Sequence, residues 1–167
     1  MRTAGILMPI TSLPSPYGVG TLGQCARDFI QFLHRAGQTY WQILPICPTG
    51  YGDSPYQSFS SYAGNPYMID FDDLKKEGLL QEEEYASISW GDNPARVDYS
   101  LLYSHKFSIL RIACSRISGV LSERFQTFCK EQNVWLNDYA LYMSIKDYYG
   151  GQSWQEWPET LQKREKD

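Results

Sequence analysis

Two short apolar runs, separated by one amphipathic helix, constrain the fold of this chain more than any other feature. Residues 4–9 (AGILMP) and 40–45 (YWQILP) predict two strands, the first of them buried on both faces. Between them, Thr21 and Gln24 have the spacing of a capping box, and Gly37 is placed to end the helix that they begin. A strand, a helix and a strand with a short exit turn form a βαβ unit, whose strands are parallel with a right-handed crossover.

The loops that follow both strands therefore leave the same, C-terminal edge of the sheet. Proteins with parallel sheets bind their ligands at that edge. The sequence contains no third strand pattern, and two parallel strands can neither close a barrel nor satisfy both of their edges. An interaction protein whose open strand edge pairs with another chain is therefore one hypothesis for the function.

The segment over residues 43–68 (ILPICPTGYGDSPYQSFSSYAGNPYM) contains almost no helix formers and follows the second predicted strand. A long loop behind a buried strand is where binding chemistry is usually placed. Its tyrosines combine flat apolar faces with a hydroxyl group: Tyr51, Tyr56, Tyr62 and Tyr67. Its hydrogen-bonding side chains are Asp53, Ser54, Gln57, Ser58 and Asn65. Such a surface suits a sugar, because a sugar has apolar ring faces and a rim of hydroxyl groups.

The pattern becomes helical after residue 70. The predicted helices cover residues 72–77, 81–87, 99–117, 122–131 and 134–149, with a further helix from Glu159. The apolar candidates of the longest helix are Leu102, Phe107, Leu110 and Cys114. Asp70, Asp72 and Asp73 stand where carboxylates complement a helix N-terminus, and Asp53 stands where an Asp caps or braces a turn, so we interpret all four as structural.

Composition and charge exclude several classes of function. The 167 residues carry a net charge of −4 without a basic stripe, so we expect no nucleic-acid partner. No apolar run approaches membrane-span length and no secretory pattern opens the chain, so we expect a cytoplasmic protein without a membrane partner. The cysteines lack zinc-site spacing, His34 and His105 lack carboxylates at ligand spacing, and the GxGxxG pattern at Gly18, Gly20 and Gly23 does not directly follow its strand. These patterns therefore predict neither a metal site nor a dinucleotide-binding loop.

Several long motifs resemble one known family. They are AGILMPITSLPSPYGVGTLG, GQTYWQILPICPTGYGDSPYQS, GYGDSPYQSFSSYAGNPYMID and GGQSWQEWP. These segments are similar to the amylomaltases, the 4-α-glucanotransferases that transfer α-1,4-glucan segments between acceptors. The resemblance implies an α/β fold: the first β-α-β part of a (β/α)8 TIM barrel, followed by a mainly helical insertion subdomain. Residues 1–70 would hold the first two barrel strands and their loops, and residues 71–167 the insertion, truncated at its C-terminal end.

The resemblance also implies which residues bind substrate. Ser54 and Tyr56 match positions that contact glucan near the cleavage point, and Tyr51 and Tyr103 match a second, non-catalytic glucan groove. Simpler roles are open: Ser54 bonding its own loop, Tyr56 packed inward, and Tyr103 packed on its helix. Retaining transfer by double displacement needs two carboxyl groups flanking the scissile bond, and the family draws them from later barrel strands. We therefore assign no catalytic residue to this chain.

On this interpretation the chain is an N-terminal fragment of a 4-α-glucanotransferase acting on maltooligosaccharides or starch-like chains. Its expected partners are an α-1,4-glucan donor and acceptor, together with the remainder of the barrel enzyme. The resemblance implies carboxylate chemistry, so we expect no metal and no organic cofactor, and we expect the chain to be inactive alone. The alternative is a non-catalytic fragment that binds glucan or has a regulatory role.

Overall fold

The computed structural model describes residues 2–50 and 52–165, which form short strands and a series of helices. In chain order the strands and α-helices are β1 (Gly5–Leu7), α1 (Gln24–Arg35), β2 (Tyr40–Gln42), α2 (Phe71–Lys76), α3 (Tyr99–Ser115), α4 (Gly119–Glu131), α5 (Leu136–Tyr148) and α6 (Glu159–Gln162). Short 3-10 turns occupy Ile10–Ser12, Pro66–Met68, Glu82–Glu84 and Trp154–Glu156. The chain divides into two compact units, one ending at Gly119 and the other beginning at Val120.

The two strands pair in parallel, as the βαβ pattern predicts. Ile6 lies opposite Trp41, and both side chains are half-buried. The indole of Trp41 packs edge-on against Phe29 of α1, with 5.0 Å between the ring centroids, and its Nε1–H donates to the Met8 carbonyl at 2.8 Å. One face of the sheet is therefore covered by the crossover helix.

The opposite face of the sheet is exposed, which corrects the prediction that β1 is buried on both faces. Leu7 is 56% exposed and Tyr40 is 60% exposed. Side chains alternate between the two faces of a strand, so Leu7 and Tyr40 face away from α1. Within the described residues the sheet consists of β1 and β2 alone, and α1 packs on the other face.

The start of α1 differs from the predicted capping box. The helix begins at Gln24, and the hydroxyl of Thr21 donates to Oδ2 of Asp70 at 2.5 Å instead of capping its own helix. Gly23 is the residue that precedes the helix, and a Cβ built on it would lie 2.1 Å from the same Asp70 oxygen. Because no side chain fits there, glycine is required by close packing, and the first loop is pressed against the start of α2.

The end of α1 is as predicted. Gly37 has a φ of 68°, the left-handed conformation that glycine adopts without strain. Its N–H donates to the His34 carbonyl at 3.1 Å, and the N–H of Gln38 donates to the Leu33 carbonyl at 2.9 Å. These two bonds form a Schellman motif, so the turn into β2 is specified locally.

The acidic residues at the start of α2 have the predicted structural role. Asp70 caps the helix, because its side chain accepts from the Asp73 N–H at 3.2 Å. The carboxylate of Asp72 accepts from the Tyr17 hydroxyl at 2.6 Å, which ties the loop after β1 to the first turn of α2. The Tyr17 ring packs against the fully buried Phe71, with 5.0 Å between centroids.

Helix α3 buries a different stripe from the one predicted. Leu102 is fully buried as expected, whereas Cys114 is exposed. The buried positions are Leu102, Lys106, Ile109 and Ala113, which recur at the spacing of one helical face. The prediction was wrong at the C-terminal end of the helix because it selected only apolar residues and so left out Lys106, which lies on the buried face.

The second unit is built around Trp157, which is 6% exposed. The rings of Tyr142 and Tyr149 pack against it, with 5.4 Å and 6.3 Å between centroids.

The predicted helices over residues 122–131 and 134–149 correspond to α4 and α5. The predicted boundary between barrel strands (residues 1–70) and helical insertion (residues 71–167) stays a prediction. Across residues 2–50 and 52–165, no helix has the length and apolarity needed to cross a bilayer.

The predicted surface helix over residues 81–87 is replaced by a short 3-10 turn at Glu82–Glu84. A bidentate ion pair to Arg116 holds this segment, which lies between α2 and α3. Nη2 and Nη1 of Arg116 donate to the Glu84 carboxylate at 2.6 Å and 2.7 Å, and Nη1 also donates to the Leu79 carbonyl at 3.1 Å. The N–H of Gln81 donates to the same carboxylate at 2.8 Å. Hydrogen bonding by Arg116 lowers the pKa of Glu84 to about 2.

We predict that Glu84→Gln lowers the melting temperature near neutral pH and that this difference shrinks toward about pH 2. Folding lowers the pKa of Glu84 from 4.5, so its stabilisation is present above that value and is lost as the pH falls through the folded pKa. Thermal melts followed by circular dichroism across this pH range would measure it. The control is Glu83→Gln, an exposed neighbour. Equal melting temperatures for both variants at every pH would contradict the prediction.

Candidate functional site

The predicted binding segment, residues 43–68, forms a closed surface loop, called here the 43–68 loop. Its ends are joined by the N–H of Asn65, which donates to the Ile46 carbonyl at 2.8 Å. Its middle is joined by the N–H of Gly50, which donates to the Gln57 carbonyl at 3.2 Å. A loop whose ends meet in this way is compact, so it can present side chains in fixed positions.

The tip of the loop is a turn around Asp53, Ser54 and Tyr56. Asp53 has a φ of 55°, which is unusual for a residue with a side chain, and its N–H donates to the Gly50 carbonyl at 3.2 Å. No donor among the described residues contacts the Asp53 carboxylate, so Asp53 forms the turn through its backbone instead of the expected side-chain brace. The Ser54 hydroxyl oxygen accepts from the Tyr56 N–H at 3.4 Å, a long bond that leaves the hydroxyl proton available to another acceptor.

Two tyrosines of the loop face solvent. Tyr56 and Tyr62 are each 73% exposed, which excludes the inward packing considered for Tyr56. Tyr67 is 8% exposed, so the prediction that its ring offers a binding face is wrong. Tyr51 lies outside the described residues. Tyr56 is thus a predicted site residue that the fold leaves accessible.

The C-terminal end of the loop is anchored instead of being open to ligand. The side-chain oxygen of Asn65 accepts from the Tyr67 N–H at 3.0 Å, which caps the Pro66–Met68 turn. The Met68 carbonyl accepts from the Leu22 N–H at 2.9 Å, and the Tyr67 carbonyl accepts from Nζ of Lys106 at 2.6 Å. Asn65 is buried and is used internally, so it offers less to a ligand than the sequence suggested.

Helix α3 carries Tyr103 beside this anchored end. Tyr103 is 64% exposed, so the inward packing considered for it does not occur. Its ring meets Phe107 edge-on at 6.3 Å between centroids, Phe107 contacts Tyr67 at 5.7 Å, and Tyr67 contacts Tyr99 at 6.2 Å. A continuous aromatic contact therefore runs from the exposed Tyr103 to the end of the 43–68 loop.

The carboxylate of Asp53 acts electrostatically on tyrosines of the anchored end and of the same helix. Burial raises the pKa of Tyr67 to about 12, with further repulsion from Asp53, Tyr103 and Tyr99. Burial and the Asp53 carboxylate raise the pKa of Tyr99 as well. The charge of Asp53 thus reaches residues of both the anchor and α3. Ser54 and Tyr56 adjoin Asp53 in the chain, whereas Tyr103 lies on α3.

Sequence reasoning missed Lys106. Its side chain is fully buried, and its ammonium lies 4.8 Å from the centroid of the Phe71 ring. The signal was present in the spacing, because Lys106 falls on the helical stripe of Leu102 and Ile109. A lysine within such a stripe is usually interpreted as an exposed residue, since lysines are almost never fully buried.

The side chains that this surface presents are hydrogen-bonding and aromatic groups. The 43–68 loop contributes neutral hydroxyl and amide groups, exposed tyrosine rings and one carboxylate, Asp53. Glycosyl transfer with retention needs a pair of carboxyl groups close together, and this loop does not supply such a pair. Among residues 2–50 and 52–165, no group of three or more His, Cys, Asp or Glu side chains is arranged to hold a metal ion.

Comparison with known proteins identifies the family. A family model described as 4-alpha-glucanotransferase matches residues 8–167, which is nearly the whole chain. The chain belongs to the 4-alpha-glucanotransferase family. Its relatives include the 4-alpha-glucanotransferase of Thermus thermophilus, 49% identical over 98% of this chain and 33% of that protein. That of Clostridium butyricum is 44% identical over 94% of this chain and 32% of that protein.

A solved structure agrees with the family assignment. The chain is similar to an amylomaltase from Streptococcus agalactiae in complex with acarbose, with a TM-score of 0.94 and 40% sequence identity. The similarity covers 99% of this chain and 34% of that one. The chain thus spans about a third of the length of the 4-alpha-glucanotransferases that it matches.

We predict that Asn65→Ala lowers the free energy of unfolding by about 1–2 kcal/mol, because the buried N–H of Tyr67 loses its acceptor. Urea unfolding followed by tryptophan fluorescence would measure the change. Gln57→Ala is the control, since its side chain is exposed and should change stability by less than about 0.5 kcal/mol. If the two variants were equally stable, Asn65 would not be an anchor of the loop.

Proposed function

We propose that this chain is the N-terminal part of a 4-α-glucanotransferase that transfers α-1,4-glucan segments between maltooligosaccharides or starch-like chains. The observation that carries the proposal is the similarity to the amylomaltase solved with acarbose, with a TM-score of 0.94 over 99% of the chain. The exposed tyrosines of the 43–68 loop and α3 add support, because they suit a sugar. We further propose a retaining double-displacement reaction in the whole enzyme, in the cytoplasm.

The proposed architecture makes residues 1–70 the first two strands of a (β/α)8 barrel with their loops. Residues 71–167 form the beginning of a helical insertion. The parallel pairing of β1 with β2 supports this, since parallel neighbours joined by a helix are the repeating unit of such barrels. Leu7 and Tyr40 are exposed on one face of the sheet. In this proposal, the remaining strands of the barrel would cover that face.

In this proposal Ser54 and Tyr56 hold glucan near the cleavage point. The hydroxyl proton of Ser54 can be donated to a sugar oxygen, and the exposed ring of Tyr56 can pack on a pyranose face. Tyr103 and Tyr51 would form a second groove away from the reaction. Support for Tyr103 is its 64% exposure on a helix that adjoins the loop.

The catalytic carboxylates lie, in this proposal, in the remainder of the barrel. This chain would bind and orient donor and acceptor glucans, while residues outside it attack the anomeric carbon and protonate the leaving oxygen. The reaction is carboxylate chemistry, so the proposal includes no metal or organic cofactor. The remainder of the barrel is thus the partner that activity requires.

A non-catalytic fragment that binds glucan is the second candidate. It is favoured by one observation: the loop presents sugar-compatible side chains but a single carboxylate.

We predict that the purified chain binds maltotriose and leaves it unchanged. Chromatography of the incubation would detect transfer, because longer and shorter products would then appear. Such products would contradict the placement of the carboxylates, and oligomers without any sugar binding would favour the strand-edge hypothesis.

We predict that Tyr56→Ala, made in the complete enzyme, weakens glucan use by about 1–3 kcal/mol, the range for one lost stacking or hydrogen-bond contact. The ratio kcat/KM for a series of maltooligosaccharides would measure it. Tyr148→Ala is the control, because Tyr148 is also strongly exposed, at 83%, and lies outside the 43–68 loop. Equal kinetics of the two variants across donor lengths would remove Tyr56 from the site.

A further inference from the structure

Lys106 is the only fully buried basic side chain among the described residues. Its Nζ donates to the Tyr67 carbonyl at 2.6 Å and lies 4.8 Å from the centroid of the Phe71 ring. Neither partner carries a full negative charge. Removing an ammonium from water is costly, and a buried lysine is normally paired with a carboxylate. An apolar side chain would fill the same space at less cost, so the position calls for an explanation beyond packing.

The partners of Lys106 connect two parts of the proposed glucan surface. Tyr67 is the anchored end of the 43–68 loop, whereas Lys106 lies on α3 about one helical turn after the exposed Tyr103. The ring contacts from Tyr103 through Phe107 to Tyr67 run beside this hydrogen bond. This buried bond, together with the ring contacts beside it, therefore holds the end of the loop on the helix that carries Tyr103.

We propose that Lys106 is a positioning residue for glucan binding, which fixes the end of the 43–68 loop on α3 so that the loop and Tyr103 form one surface. This inference rests on the proposed function. Lys106 itself does not reach the ligand, because it is buried. Its effect passes through the Tyr67 carbonyl and the turn at Pro66–Met68.

The groups around Lys106 give the proposal a pH signature. Burial lowers its pKa to about 8, partly offset by the carboxylate of Asp70 at the start of α2. The phenols of Tyr67 and Tyr99 do not ionise in that range, because burial and Asp53 raise the pKa of each. The ammonium is thus the group of this cluster that loses its charge as the pH rises through about 8, and a neutral amine donates a weaker hydrogen bond.

The test compares wild type with Lys106→Met, which keeps an unbranched side chain, one atom shorter, and removes its charge. The matched control is Lys130→Met, since Lys130 is exposed on α4. Amide exchange measured by NMR reports the loop anchor through the N–H groups of Met68 and Ile69, which donate to the carbonyls of Asn65 and Pro66. Calorimetric titration with maltoheptaose reports the glucan surface, and both are measured from about pH 7 to about pH 9.

We expect Lys106→Met to speed exchange of the Met68 and Ile69 amides about tenfold and to weaken maltoheptaose binding about tenfold, the effect of losing one charge-assisted hydrogen bond. Wild type and Lys130→Met should bind severalfold more weakly at about pH 9 than at about pH 7, whereas Lys106→Met should show no such pH dependence. A merely structural role would lower the melting temperature without removing this pH profile.

Three results would overturn the proposal or separate it from the proposed function. Unchanged exchange and affinity in Lys106→Met would overturn it. If Lys106→Met does not fold, Lys106→Leu takes its place, and unchanged exchange and affinity in that variant would overturn the proposal. Absence of maltoheptaose binding by wild type would contradict the proposed function, while the exchange of the Met68 and Ile69 amides would still determine whether Lys106 holds the loop.

Discussion

The carboxylate of Asp70 is the interaction on which the arrangement of the first unit depends. One oxygen accepts from the Thr21 hydroxyl at 2.5 Å, and the other accepts from the Asp73 N–H at 3.2 Å. The loop before α1 and the first turn of α2 therefore share one acceptor, at the edge of the sheet where the loops after both strands emerge. The same charge reaches Lys106 on α3. Two segments that are distant in sequence are thus joined by a group that caps a helix, and its charge also favours the ammonium form of Lys106.

The parts of the fold that the sequence predicted are those that local chemistry determines. Parallel pairing follows from the spacing of two apolar runs around a helix, and Gly37 ends α1 through bonds to residues of the same turn. The parts it did not predict depend on distant partners. Thr21 has the right spacing for a capping box, yet its hydroxyl donates to Asp70 and the helix begins only at Gln24. Cys114 is apolar, yet it lies off the buried face of α3, and no local pattern reveals which face meets the core.

The candidate site follows the same division. Composition indicated the chemistry of the 43–68 loop, and the family resemblance selected Tyr56 and Tyr103, which the fold leaves exposed. Composition could not distinguish Tyr67 from Tyr56, because both occur in similar surroundings of Gly, Pro and Ser. Only the packing of Tyr67 against Tyr99 and Phe107 shows that it belongs to the interior. Tertiary contacts with α3 therefore decide which tyrosines remain for a ligand.

The contact of Gly23 with Asp70 has a consequence for how such sequences diverge. Any side chain at position 23 would occupy the space of the carboxylate, since even a Cβ would lie 2.1 Å from it. Shortening or removing the acid would make room for that side chain but would also release Thr21 and uncap α2. Substitution at either site is therefore penalised unless the other changes with it. Positions 23 and 70, which are far apart along the polypeptide, should therefore change together among homologues or both stay unchanged.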